Sequence, residues 1–497
     1  MGAIISKMYH AVFNKTTLGI FTAVAIAIYY WLKSKKNMPF KLPSNAKEIT
    51  LEFLQKHYSK NIKSFKISPL TAEVREGVER EDGGGISGAS LAKIAFESDD
   101  TSIPKNAIVK INDIDSLKSD NFIARFLGVM WGIDLNIFNA TEVLVFDQAR
   151  KAYDDARVRI PATYLTLSSH NLQQVPRNNP LLFLLFDFRS SFRTFIIIED
   201  VSTTHKSWPQ GVGLDKSKVT AAFENIARLH ALNYEKFAEK EELKLLPKTN
   251  VWYENVMIGA NARNFLNKSM MNIHKDEAIN KTLDNWTNET SKEILTKVNL
   301  PQICQDQVVK DAMMALRKLC AQDGFYEMCL NQLEPQTLLH GDFHGWNHIF
   351  PRDESKDIDK DDVVLVDFQI TSYGRIAWEL VYFLNFSVDY ISFEEDLEYL
   401  DKYYSMFESY VDDNPKVKNY TKEMFYREIY LTQVICAIKW LCLATADNVG
   451  PKYWIKFYNK DEKGQGGTFA GLRYFNRIIL RLKGLYENKM LDINKLK

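Results

Sequence analysis

Three kinds of hydrophobic pattern divide this chain. The first is an uncharged run from Thr16 to Leu32, bounded by Lys15 and Lys33 and ending in Tyr29-Tyr30-Trp31. A membrane-spanning helix needs about 17 to 25 residues and favours interfacial aromatics at its ends, so this run predicts a single membrane anchor. The second kind is strand-like. Leu91 to Phe96 alternates, Ala107 to Ile111 is apolar around one lysine, and Thr194 to Ile198 is rich in β-branched residues. Two shorter runs, Leu338-Leu339 and Val363 to Val366, each lead into polar residues, as strands do when they end at a site.

The third kind has helical spacing. Ile49, Phe53 and Leu54 suggest a short helix; Val219, Phe223, Ile226, Leu229 and His230 share one face, with Ser217 as a candidate cap. Residues 250 to 335 are amphipathic without a motif, Ile376 to Leu384 reads as a buried helix, and helices from Leu397 through Leu491 complete the chain. The sum is an α+β protein with a mixed N-terminal sheet and a mostly helical remainder.

Composition narrows the class. At 497 residues and 46% apolar, the chain can bury a large core in at least two lobes. Lys plus Arg and Asp plus Glu number 63 each, which with no basic tract argues against nucleic acid as a partner. Cys304, Cys320, Cys329, Cys436 and Cys442 are widely spaced with no C-x-x-C pair, a usage that suits a reducing compartment. Lys33, Lys35, Lys36 and Lys41 follow the anchor against Lys7 and Lys15 before it, and positive-inside bias then places the large C-terminal part in the cytosol. Met1-Gly2-Ala-Ile-Ile-Ser6 also fits an N-myristoylation pattern, which would conflict with an N-terminus on the far side of the membrane.

The candidate chemistry lies between the two short runs, in LLHGDFHGWNHIFPRDESKDIDKDDVVLVDFQ, residues 338–369. Phosphoryl transfer from ATP needs a carboxylate to orient the attacking hydroxyl and accept its proton, and oxygen ligands for Mg²⁺. Asp342 and Asn347 have the D-x-x-x-x-N spacing of a base followed by a metal ligand, and Asp367 ends the next apolar run as a second metal ligand should. The charged loop from Asp353 to Asp362 reads as a solvated hairpin tip. A second reading takes His340, His344 and His348, four residues apart, as one metal-binding helix face of a zinc hydrolase. Gly341 and Gly345 would interrupt that helix at about 1 kcal/mol each, and Asn347 and Asp367 would have no task. His340 also has a plainer role open to it, holding the loop by hydrogen bonds.

Upstream, Gly84, Gly85 and Ser87 stand in a glycine cluster of the kind that brings backbone amides onto phosphates, or that simply turns. Lys110 lies inside an apolar strand and needs a partner, for which a nucleotide phosphate and a helix glutamate would serve.

These residues carry a resemblance. His340-Gly-Asp-Phe-His-Gly-Trp-Asn347 with Leu365-Val-Asp-Phe-Gln369 resembles the loop of the aminoglycoside-phosphotransferase and choline-kinase superfamily, and Asp-Phe-Gln is similar to its CHK kinase-like, or ecdysteroid kinase-like, branch. The resemblance implies a protein-kinase-like two-lobe fold and an ATP- and Mg²⁺-dependent kinase acting on a hydroxyl of a steroid-, choline- or xenobiotic-like small molecule. It implies that Asp342 is the base and that Asn347 and Asp367 bind metal. Glu142 fills the position of the glutamate that pairs Lys110, with a solvated surface carboxylate as the other reading, and Glu199 to Val201 hold adenine through their backbone. His230 is implied to be a packed structural residue, and Glu379 stands where the family usually has Asp. The chain then divides into a tail (1–15), the anchor (16–32), a linker (33–48), a nucleotide-binding lobe (49–200) and a helical catalytic and acceptor-binding lobe (201–497). The rival from another class is a catalytically silent binding or scaffold protein on the same fold.

Overall fold

The computed structural model describes residues 40–69, 89–113, 135–172, 192–208, 212–236, 239, 246, 306–331, 336–353, 358–444 and 467–496. The expected anchor, the glycine cluster at 84–87 and the amphipathic stretch from 250 to 305 lie outside them. Among the described residues no helix is long and apolar enough to cross a membrane.

The first part of the structure is a five-stranded sheet. Its strands are β1 (Ile62–Pro69), β2 (Ala89–Ser98), β3 (Asn106–Asp113), β4 (Thr163–Ser168) and β5 (Arg193–Glu199), in the spatial order β1-β2-β3-β5-β4. All four pairings are antiparallel, which corrects the expected mixed sheet: each described strand runs back beside its neighbour and none pairs in parallel. Helix α1 (Leu51–His57) begins at Thr50, whose hydroxyl accepts from the Phe53 N–H. Helix α2 (Leu135–Leu144) runs through a one-turn π-helix, Val145–Ala149, into α3 (Arg150–Asp155).

The middle strands have two different faces because side chains alternate along a strand. Ala107, Val109 and Ile111 of β3, with Phe195 and Ile197 of β5, join a small apolar cluster with Leu54 of α1. Lys110 and Asn112, on the other face of β3, meet Glu142 of α2, while Ile196 of β5 joins the large cluster that fills the rest of the molecule.

The second part is mostly helical. Beyond β6 (His205–Ser207) come α4 (Lys216–Asn233), α5 (Gln307–Cys320) and α6 (Phe325–Asn331). After the strands that carry the loop come α7 (Ile376–Ser387), α8 (Phe393–Ser409), α9 (Lys422–Ala444), α10 (Gly467–Glu487) and α11 (Ile493–Leu496). The expected cap of α4 is corrected by two residues: Asp215, not Ser217, precedes the helix and accepts from the Lys218 N–H. Asp215 has the extended backbone that a cap requires, whereas Ser217 already sits within the helix. Phe223 and Leu229 of α4 are fully buried, each side chain worth about 1.5–3 kcal/mol.

Four short strands carry the central loop. They are β7 (Thr337–Leu339), β8 (His348–Pro351), β9 (Val364–Leu365) and β10 (Ser372–Gly374). β8 and β9 form the expected hairpin, β7 pairs with β10, and Leu365 N–H donates to the Arg159 carbonyl just before β4. The loop's strands are thereby tied both to the helices and to the sheet part.

Candidate active site

Lys110 sits in the middle strand of the sheet and is 7% exposed, too buried to keep its charge without partners. Its Nζ donates to Glu142 Oε1 at 2.7 Å and to Asp367 Oδ1 at 2.9 Å. Burial opposes the charge, but the carboxylates of Asp367 and Glu142 outweigh it and raise the lysine above its ordinary value. Burial pushes the Glu142 carboxyl up, since it shares its one cation with Asp367. Asn112, two residues along on the same face, donates to Thr194 at 2.9 Å and stands 3.5 Å from Glu142 Oε2.

The loop that carries Asp342 is a strand end, a glycine turn and a 3₁₀ turn (Gly345–Asn347) leading into β8. His340, His344 and His348 therefore do not share a helix face, and among the described residues no group of three or more His, Cys, Asp or Glu could hold a metal ion. His340 Nε2 lies 3.0 Å from the Val366 carbonyl, and its ring packs 5.0 Å from that of Phe368. His348 Nδ1 lies 2.8 Å from the His344 carbonyl, and burial pulls His348 down to about 3, so it is neutral in ordinary buffers.

Gly341 has φ +89°, a backbone that side-chain-bearing residues rarely adopt. That turn aims two successive amides at one carboxylate: His340 N–H donates to Glu379 Oε2 at 3.1 Å and Gly341 N–H to Oε1 at 2.6 Å. Glu379 is fully buried on α7 and also meets His230 Nε2 at 2.8 Å, while the other ring nitrogen of His230 lies 2.7 Å from the Tyr403 hydroxyl. The Glu379 carboxylate thus reaches both amides and the histidine at once.

Asp342 projects from this turn with a quarter of its side chain exposed. Asn347 Nδ2 donates to its Oδ2 at 3.1 Å and to its carbonyl at 2.9 Å. Tyr382 of α7 donates to Oδ1 at 3.0 Å, and His344 Nε2 is 3.3 Å from the same oxygen. Burial would raise this carboxyl, but His344, His340 and the Tyr382 hydroxyl overcome it and hold Asp342 down to about 2. It is therefore an ionised acceptor at neutral pH.

Asp367 follows β9 with φ +67°, a conformation that aspartate tolerates better than most residues. Its register is fixed from both sides, because Val366 N–H donates to the Asn347 carbonyl at 3.1 Å and Phe368 packs against Phe146, Tyr153 and His340. Asp367 keeps one oxygen off Lys110, and the Asn347 side-chain oxygen has no hydrogen bond among the described residues. Two such oxygens on a fixed frame suit a hard cation such as Mg²⁺, which prefers oxygen donors.

At the sheet's far end, Glu199 closes β5 and Val201 opens a 3₁₀ turn (Val201–Thr203), whose first amides have no partner within the turn. The Glu199 side chain is engaged with the Ala162 N–H at 3.1 Å and faces Arg159, the Glu199 N–H donates to the Ala162 carbonyl at 2.8 Å, and the Ser202 N–H donates to the Asp200 carboxylate at 3.0 Å. Gly84, Gly85 and Ser87 lie outside the described residues. Of the predicted residues the structure brings Lys110, Glu142 and Asp367 together, and Asp342 with Asn347. It adds Asn112, Tyr382 and the Glu379 contacts, of which only the departure at Glu379 had a signal in the sequence.

A strand lysine on a helix glutamate, an Asp-x₄-Asn loop and an aspartate after the next strand are the arrangement found in kinase-like sites. Residues 177–413 match the model of the ecdysteroid kinase-like family, the likeness that the loop suggested. No curated protein matches the chain. Among solved structures, an ethanolamine kinase of Plasmodium vivax is 10% identical with a TM-score of 0.35, covering 89% of each chain. A choline kinase of Cryptosporidium parvum is 10% identical with a TM-score of 0.38, covering 95% of this chain and 98% of its own. An ADP-bound aminoglycoside phosphotransferase is 12% identical with a TM-score of 0.28, covering 78% and 97%.

Proposed function

We propose that this protein is an ATP-dependent phosphotransferase acting on a hydroxyl of a small molecule that is steroid-, choline- or xenobiotic-like. The observation that carries the reading is the position of Lys110, whose ammonium is held between Glu142 and Asp367 at the edge of the Asp342 loop. Lys110 binds phosphate, Glu142 keeps its ammonium in place, and the backbone from Glu199 to Val201 takes the adenine. Asn347 and Asp367 would hold Mg²⁺, which would neutralise charge on the phosphate oxygens.

Asp342 orients the acceptor hydroxyl. As the hydroxyl oxygen bonds to the γ-phosphorus, the bond from that phosphorus to the β–γ bridging oxygen breaks, ADP leaves, and the hydroxyl proton passes to the Asp342 carboxylate. Trp346, Tyr382, Phe386 and Tyr474 form a chain of ring contacts beside Asp342, with Tyr382 and Phe386 4.2 Å apart and Phe386 and Tyr474 4.3 Å apart. That surrounding favours an acceptor with a largely apolar body, in keeping with the steroid in the name of the matched family. The protein works at a membrane through residues 16–32, with this site on the cytosolic side.

The test is a titration of ATP with and without Mg²⁺, followed by ATP-consumption assays against hydroxyl-bearing small molecules. Mg²⁺-dependent ATP binding with turnover on one acceptor class supports the reading. Binding without turnover on any acceptor turns it to the silent binding protein, and absence of ATP binding refutes it.

A further inference from the structure

Resting on the proposed phosphotransfer, we infer that Oδ2 of Asp342 is the atom that receives the acceptor's proton, and that Tyr382 is the positioning residue that closes Oδ1 to it. An ionised carboxylate offers about two lone-pair sites on each oxygen. Oδ1 receives the Tyr382 hydroxyl at 3.0 Å and has His344 Nε2 3.3 Å away, so an incoming hydroxyl meets two groups there. Oδ2 receives only the Asn347 amide at 3.1 Å among the described residues, and one site stays available.

Both groups at Oδ1 are fixed by packing. Tyr382 is buried on α7, three residues after Glu379, so one face of that helix grips the loop backbone through Glu379 and the carboxylate through Tyr382. The Tyr382 ring lies 4.2 Å from Phe386, and the His344 ring lies 4.5 Å from Trp346. The open oxygen is the one beside Asn347, so a hydroxyl docked there is presented next to the candidate metal ligand.

The test uses the full chain with Tyr382→Phe, which keeps the ring and its packing and removes the donor. Turnover is measured as hydrolysis of Mg·ATP with water as acceptor, and Mg·ATP affinity is measured separately. Turnover should fall about tenfold, the scale of one hydrogen bond to a charged group, at unchanged affinity. In an Asp342→Asn background the same substitution should add nothing, because Tyr382 acts only through that carboxylate. A full second loss in the double variant, or unchanged turnover in Tyr382→Phe, overturns the inference. Failure of the parent chain to bind Mg·ATP strikes at the functional reading instead, and a ligand-free crystal structure of Tyr382→Phe then decides the positioning claim. A rotated Asp342 carboxylate supports it, and a carboxylate unchanged in orientation overturns it.

Discussion

Lys110 and Asp367 stand 257 residues apart in the chain, and their side chains meet at 2.9 Å. With Glu142 at 2.7 Å on its other side, Lys110 is a buried cation shared by two carboxylates, one from a helix of the sheet part and one from the loop of the helical part. Removal of Lys110 leaves two carboxylates without their shared cation, whereas removal of either carboxylate leaves a matched pair.

That sharing sets the outcome for the lysine. Lys110→Met should weaken Mg²⁺-dependent ATP binding and also lower stability by about 3–5 kcal/mol, the cost of an unpaired buried charge. Lys110→Met with Glu142→Gln should recover part of the stability and none of the binding. Denaturant melts of the four proteins of the cycle decide it: losses that simply add would show that the pair is not coupled.

The two aspartates should fail differently. Asp367→Asn removes a charged metal ligand and should reduce both Mg²⁺-dependent ATP affinity and turnover. Asp342→Asn keeps the shape but cannot take a proton, so ATP should still bind while turnover drops about 10²- to 10⁴-fold. Calorimetric titration beside single-turnover assays separates the cases, and parent-level turnover in Asp342→Asn would remove it from the chemistry.

Glu379 should be needed for the loop's shape. Glu379→Gln retains the size but sets an amide N–H₂ among the donors of His340, Gly341 and His230. One buried donor is then unsatisfied, at about 1–3 kcal/mol. Equilibrium unfolding should show that loss together with reduced turnover; a neutral effect on both would mean the amides find water instead.

His340 should behave as a structural residue. His340→Ala removes the partner of the Val366 carbonyl and the ring against Phe368, and should lower the melting temperature. The zinc-hydrolase reading expects elemental analysis to find one zinc per chain, and a chelator to abolish activity. The expected result is no stoichiometric zinc and activity restored by Mg²⁺ alone.

Residues 16–32 should fix the chain to a membrane with the site in the cytosol. In sealed microsomes the part after the anchor should be open to added protease. Glycans on Asn285 or Asn288, which stand in Asn-x-Thr sequons, would reverse the orientation.

The sequence alone determined the strands at 91–96, 107–111 and 194–198, the buried helices at 219–230 and 376–384, and the spacing of Asp342, Asn347 and Asp367. These are local facts, set by side-chain periodicity and by a loop whose residues are close in the chain. It could not decide whether Glu142 was a surface carboxylate, because a lone glutamate on a helix reads the same whichever way the helix turns. Only the tertiary structure laid α2 across the sheet and put that glutamate on Lys110. The same holds for Tyr382 and for the grip of Glu379 on the glycine turn: both depend on where α7 crosses the loop, a matter of packing between segments that periodicity within either one does not encode. Even the cap of α4 required the backbone of Asp215 to be seen, since Asp215 and Ser217 are both good caps and only the chain's path chooses between them.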